Sequence, residues 1–128
     1  MEKLELKATK YTPEILFDCE NNRLSIRGKS YPENTAEFYA PVFDWLEAYL
    51  GQLTDQKARV DMEIHYLNSS SSKVLLDFFD LMEDATEEGK QVSINWIYEE
   101  DDEDSREFGR EFQEDFDTLN LNLIQKET

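Results

Sequence analysis

This 128-residue chain has little of what usually staples a fold or carries chemistry. Its single cysteine, Cys19, excludes an internal disulfide, and its single histidine, His65, leaves no second His or Cys pair for a zinc centre. Four glycines in the whole chain exclude most Gly-rich phosphate cradles. No apolar run approaches the roughly 18 residues a membrane span needs. Basic residues are also scarce, 13 against 30 acidic ones, for a net charge of −17. Such a chain repels nucleic-acid phosphate and anionic lipid, so neither is expected as a partner. No charged-apolar-small leader opens it, and with the lone cysteine this predicts a soluble protein of a reducing cytoplasm.

Against these absences stand eight Phe, six Tyr and two Trp, enough to build an aromatic core. The length predicts one domain over residues 1–128. Glu14–Asp18 and Arg23–Arg27 read as short strands around the turn residues Glu20-Asn21-Asn22, a β-hairpin. Asn34 and Glu37 form a capping-box pattern before a helix through Phe38, Val42, Phe43, Leu46 and Leu50. Pro41 predicts a kink or a preliminary turn, and Gly51 an end. Val60, Met62, Ile64 and Tyr66 alternate as a strand; Leu75, Phe78, Phe79 and Met82 then recur as a helix, with Gly89 as its stop. Val92, Ile94, Trp96 and Tyr98 form another strand. Phe108, Phe112 and Phe116 mark a third helix, and Leu119, Leu121 and Leu123 a last strand. The order β-β-α-β-α-β-α-β predicts an α/β fold: an N-terminal hairpin, then alternating helices and strands forming a mixed sheet with helices packed on it.

The informative point is the junction Asn68-Ser69-Ser70-Ser71-Ser72-Lys73, where a strand stops and a helix begins. There the first backbone N–H groups lack intrahelical partners and the helix carries its partial positive end. A hydroxyl in that place either caps the helix or, phosphorylated, meets free donors and a favourable dipole. Catalysis is the poorer reading. Ser70-Ser71-Ser72-Lys73 matches the Ser-x-x-Lys pattern of serine acylases, but no companion motif accompanies it and the chain is short for such an enzyme. His65, beside Asp61 and Glu63, reads as a strand residue facing away from Ile64 and Tyr66. From Glu99 to Asp117 there are 11 acidic residues against Arg106 and Arg110, −9 of the −17. That segment lacks EF-hand spacing and reads as a solvated acidic helix; it leaves open an acidic interaction domain whose serines only cap.

Four segments together resemble one family: Lys10-Tyr11-Thr12-Pro13-Glu14-Ile15 with Phe17-Asp18, Gly28-Lys29-Ser30-Tyr31-Pro32-Glu33-Asn34, Pro41-Val42-Phe43-Asp44-Trp45-Leu46, and Tyr66-Leu67-Asn68 with the four serines and Lys73. They look like the SiaC family of bacterial regulatory phosphoproteins, over about residues 8 to 124. The resemblance implies a STAS-like partner-switching module, similar in layout to anti-sigma-factor antagonists, without catalytic activity or cofactor. A histidine-kinase-like ATPase would phosphorylate one hydroxyl and a PP2C-type phosphatase would remove the phosphate. The unmodified protein would bind and activate a diguanylate cyclase, raising cyclic di-GMP and favouring aggregation or biofilm formation. The phosphorylated position maps onto Ser69, where the family's best-known member has threonine, with Ser70 as rival. Asn68, Ser71, Ser72, Lys73, Tyr31, Pro32, Glu33 and Asn34 would shape the partner surface; Asn68 and Asn34 would orient the serine turn, and Tyr31 and Pro32 would fix a loop beside it.

Overall fold

The structure, a computed structural model, describes residues 1–127. Its elements follow one another as β1 (Leu4–Leu6), β2 (Glu14–Asp18), β3 (Arg23–Ser30), α1 (Thr35–Gln52), β4 (Lys57–Leu67), α2 (Ser69–Glu87), β5 (Gln91–Glu99), α3 (Glu103–Asp115) and β6 (Asn120–Lys126). One six-stranded sheet runs in that sequence order, antiparallel from β1 to β3 and parallel from β3 to β6. The predicted mixed sheet is present, with one strand more. At three residues, β1 is too short to show a period; it is held by pairing with β2 and by Trp45, whose indole N–H donates to the Glu2 carbonyl at 2.7 Å.

Local chemistry explains the turns. The Asp18 carboxylate accepts from the N–H groups of Glu20 and Asn21, and Asn22 takes a φ of 55°, so the hairpin closes where the sequence places it. α2 stops in a Schellman arrangement: Lys90 N–H reaches the Ala85 carbonyl and Gly89, at φ 94°, reaches Thr86. Pro41 does not divide α1, which continues as one helix and ends past Gly51, at Gln52.

Strand register aligns two apolar rows across the sheet. Phe17, Leu24, Val60, Ile94 and Leu121 form one row; Ile15, Ile26, Met62, Trp96 and Leu123 form the other. Nearly all are buried and belong to one core with the helices, so the three helices cover this face, as right-handed crossovers between successive parallel strands require. Gly109 lets α3 approach closely: a Cβ there would overlap the Trp96 and Leu123 side chains. The opposite face is open and polar, exemplified by the row Asp61, Asn95 and Asn122.

One irregularity bears on the site. Gly28 pairs with Ile64 but Lys29 pairs with Tyr66, so His65 is an extra residue on β4. This bulge reverses the phase of the strand end. Tyr66 therefore leaves the core face on which simple alternation puts it and stands 53% exposed on the open face, while Leu67 returns inward.

Candidate functional site

The serine junction lies at the carboxyl ends of the parallel strands. Asn68, not a serine, caps α2: its side-chain oxygen accepts from Ser71 N–H at 2.8 Å and its carbonyl from Ser72 N–H at 2.9 Å. With an asparagine holding that position, the reading in which the serines serve as caps is corrected. Ser69 and Ser70 are the first two helical residues, and both are exposed. Their backbone N–H groups meet no acceptor among the described residues. The first turn carries no acidic residue, so the helix's positive end is uncompensated there.

Ser71 has a different fate. It is 1% exposed, and its hydroxyl bonds the Ser30 hydroxyl at 2.7 Å, which in turn bonds the Tyr39 hydroxyl at 2.6 Å. The Ser30 carbonyl also accepts from Asn68 N–H at 3.0 Å. β3, α1 and the start of α2 are thus tied through one buried residue. Burial pushes the Tyr39 hydroxyl's pKa up, with the Ser30 bond opposing in part. Sequence reasoning missed the Ser30 and Tyr39 roles, although parity held a signal: Leu24, Ile26, Gly28 and Ser30 share the core phase of β3.

The surrounding residues divide. Tyr31 sits edge-on between Tyr11 and Tyr66, with ring centroids 5.2 and 5.5 Å away, and its N–H donates to the Tyr11 carbonyl. With Tyr11 49% exposed, the three rings form a largely solvent-facing row near the junction. Pro32 is buried, which fixes the loop leaving β3, and Glu33 is exposed. Asn34 does not orient the serine turn. It caps α1, accepting from Glu37 N–H at 3.0 Å and donating to the Glu37 carboxylate at 3.2 Å. Ser72 is half-buried and Lys73 exposed, and Ser70 and Lys73 share no hydrogen bond among the described residues. Between the end of β4 and the start of α3 lies a cleft of about 200 Å³, lined by His65, Tyr66, Leu67, Asp102, Asp104 and Phe108 among others.

On the open face the Glu63 carboxylate, 6% exposed, accepts from Arg27 at 2.9 Å and Lys126 at 3.0 Å, with His65 Nε2 at 3.2 Å. Burial alone would raise its pKa; Lys126, His65 and Arg27 together outweigh that and hold it below the usual carboxylate value. No helix among the described residues is long and apolar enough to cross a membrane.

Comparison with known proteins agrees with this architecture. A family model described as SiaC family regulatory phosphoprotein matches residues 6–126. An uncharacterized protein of Pseudomonas aeruginosa strain UCBPP-PA14 is 39% identical over 115 residues, 90% of each chain. Among solved structures, SiaC of Pseudomonas aeruginosa is similar at a TM-score of 0.90 and 35% identity, covering 98% of this chain and 100% of that one. A chain in the crystal structure of diguanylate cyclase SiaD in complex with its activator SiaC, from the same organism, is similar at a TM-score of 0.90 and 36% identity, over 96% and 99% of the two chains.

Proposed function

The chain belongs to the SiaC family of regulatory phosphoproteins, and from that premise we propose that it is a non-catalytic, cytoplasmic partner switch acting through Ser69. Unmodified, it binds and activates a diguanylate cyclase, raising cyclic di-GMP and favouring aggregation or biofilm formation. A histidine-kinase-like ATPase phosphorylates Ser69 and ends that binding; a PP2C-type phosphatase restores it. Asn68, Ser70, Ser72, Lys73, Tyr31 and Glu33 lie on or beside the contacted surface, Ser71 and Pro32 shape it from behind, and Asn34 contributes by capping α1. The cyclase comes into the reading from the likeness to a chain found with diguanylate cyclase SiaD.

The observation that carries the reading is the exposure of Ser69 as the first residue of a helix whose leading turn has no carboxylate. A phosphate there adds about −1.5 to −2 charges where free N–H groups and the dipole accommodate it, so the fold need not change. A partner packed on this turn would instead meet a hydrated dianion, and burying an unpaired charge costs several kcal/mol. About 4 kcal/mol weakens binding roughly a thousandfold, enough for an on/off switch. Titration calorimetry of the purified cyclase against the chain, Ser69→Ala and Ser69→Asp tests it: Ala should bind, Asp should not. Equal binding by both would remove Ser69 as the switch, and a phosphopeptide at Ser70 would move it one residue.

A second reading has its own observation. Glu103, Asp104, Glu107, Glu111, Glu114 and Asp115 are all exposed along α3, a face suited to a basic partner. Binding that collapses with salt, together with no phosphopeptide from native cells, would favour it.

A further inference from the structure

We propose that Glu63, His65 and Glu99 form a binding site for a divalent transition-metal ion of the Zn²⁺ class, and that the ion displaces the Lys126 ammonium. Counting histidines and cysteines along the sequence gives no such site, because its parts come from different elements. Glu63 is on β4, Glu99 closes β5, and His65 is the bulge residue. Glu63 and His65, two residues apart on β4, share the open face, and the imidazole Nε2 lies 3.2 Å from Glu63 Oε2.

One ligand atom from each of the three residues falls within 4.8 Å of the others. Zinc–ligand distances of about 2.0–2.1 Å put neighbouring donors about 3.0–3.4 Å apart, so the Glu63–His65 spacing already fits. Glu99, half-buried at a strand end and within 4.8 Å of the other two, has to close by at most about 1.4–1.8 Å. An imidazole with two carboxylates suits Zn²⁺ better than the oxygen-seeking Ca²⁺ or Mg²⁺.

The site already attracts a cation. Lys126 Nζ stands 3.0 Å from Glu63 Oε2, on the same oxygen as His65, while Arg27 occupies Oε1. Lys126 is the last residue of β6, its side chain is about half exposed, and its strand partner is Glu99. Moving it out returns its half-exposed ammonium to water, and the incoming ion takes over the neutralisation of the buried Glu63 carboxylate. Two carboxylates then balance the ion's two charges, and Arg27 remains to orient Glu63 from the far oxygen.

The test is calorimetry with ZnCl₂ on the full chain, alongside the imidazole NMR signals of His65, which are unambiguous because it is the sole histidine. Expected is one saturable ion per chain with His65 signals shifting in step. Losing a supporting partner at such sites costs about 10–100-fold, so His65→Ala and Glu99→Gln should each weaken binding at least tenfold. Lys126→Met, which removes the competing cation, should tighten it about three- to fivefold. Asp101→Asn with Asp104→Asn should leave it unchanged. No saturable binding, binding that survives His65→Ala, or binding weakened by Lys126→Met or by the Asp101/Asp104 pair would overturn the proposal.

Discussion

The starts of α2 and α3 are built alike and charged oppositely. Each opens with a side-chain cap on the third helical N–H: Asn68 on Ser71, Asp102 on Ser105. Each sinks that third residue, 1% and 4% exposed, and anchors it to the sheet. Ser71 bonds Ser30; Ser105 bonds the Ile64 carbonyl and receives the Trp96 indole N–H. The difference lies in the residues before the anchor. α3 has a carboxylate as cap and two more, Glu103 and Asp104, in its first turn. α2 has a neutral cap and two exposed hydroxyls, with no acid. At α3 the helix's positive end is compensated by its own carboxylates; at α2 no carboxylate compensates it, and the proposed phosphate on Ser69 would meet that open end.

The sharpest contrast is at the first helical residue of each. Ser69→Asp should weaken cyclase binding about a thousandfold, whereas Glu103→Gln, the equivalent place on α3, should change it no more than about twofold, as surface substitutions usually do. Calorimetry on the pair would break the comparison if Glu103→Gln proved the more damaging, since the partner would then be reading the acidic helix.

Next in size is the anchor of α2. Ser30→Ala removes the hydroxyl that joins Ser71 and Tyr39, leaving two buried hydroxyls without that partner. An unsatisfied buried group costs about 1–3 kcal/mol, to be measured as a shift in the urea midpoint. Because the cost lies in the orphaned partners, adding Tyr39→Phe and Ser71→Ala to Ser30→Ala should recover part of it. If the triple variant is instead less stable than the single one, the three hydroxyls are not acting as a unit.

Much of this was legible beforehand. Period-two and period-3.6 patterns located β2 to β6 and all three helices, because each long element buries one face. The serine junction was legible for the same reason, since the pattern changes there. What escaped depends on contacts between distant segments. β1 exists through pairing and the Trp45–Glu2 bond rather than through any pattern in three residues. The bulge at His65 answers to the β3 register, and it alone decides that Tyr66 faces solvent. The cap signal at Asn34 belongs to α1, and its place in the motif that follows β3 does not bring its side chain to the serine turn. The burial of Ser71 separates it from its exposed neighbours, and one helical turn is enough to do so: the first two residues precede the sheet contact and the third makes it.

The smallest effect tests the charge difference without any partner. Ser70 and Asp104 are the second residues of their helices. Ser70→Asp places a carboxylate at the uncompensated end of α2, and such a charge stabilises by about 0.3–1 kcal/mol at low salt. For a domain of this size that is a rise in Tm of roughly 1–5 °C. Asp104→Asn should lower Tm by a similar or smaller amount, because Asp102 and Glu103 remain to compensate α3. Both shifts should shrink in 1 M NaCl, where the screening length falls to about 3 Å. A Ser70→Asp variant no more stable than the parent at low salt would mean that α2's positive end is already satisfied, by water or by a neighbouring side chain. The two helix starts would then differ in sequence but not in their readiness for phosphate.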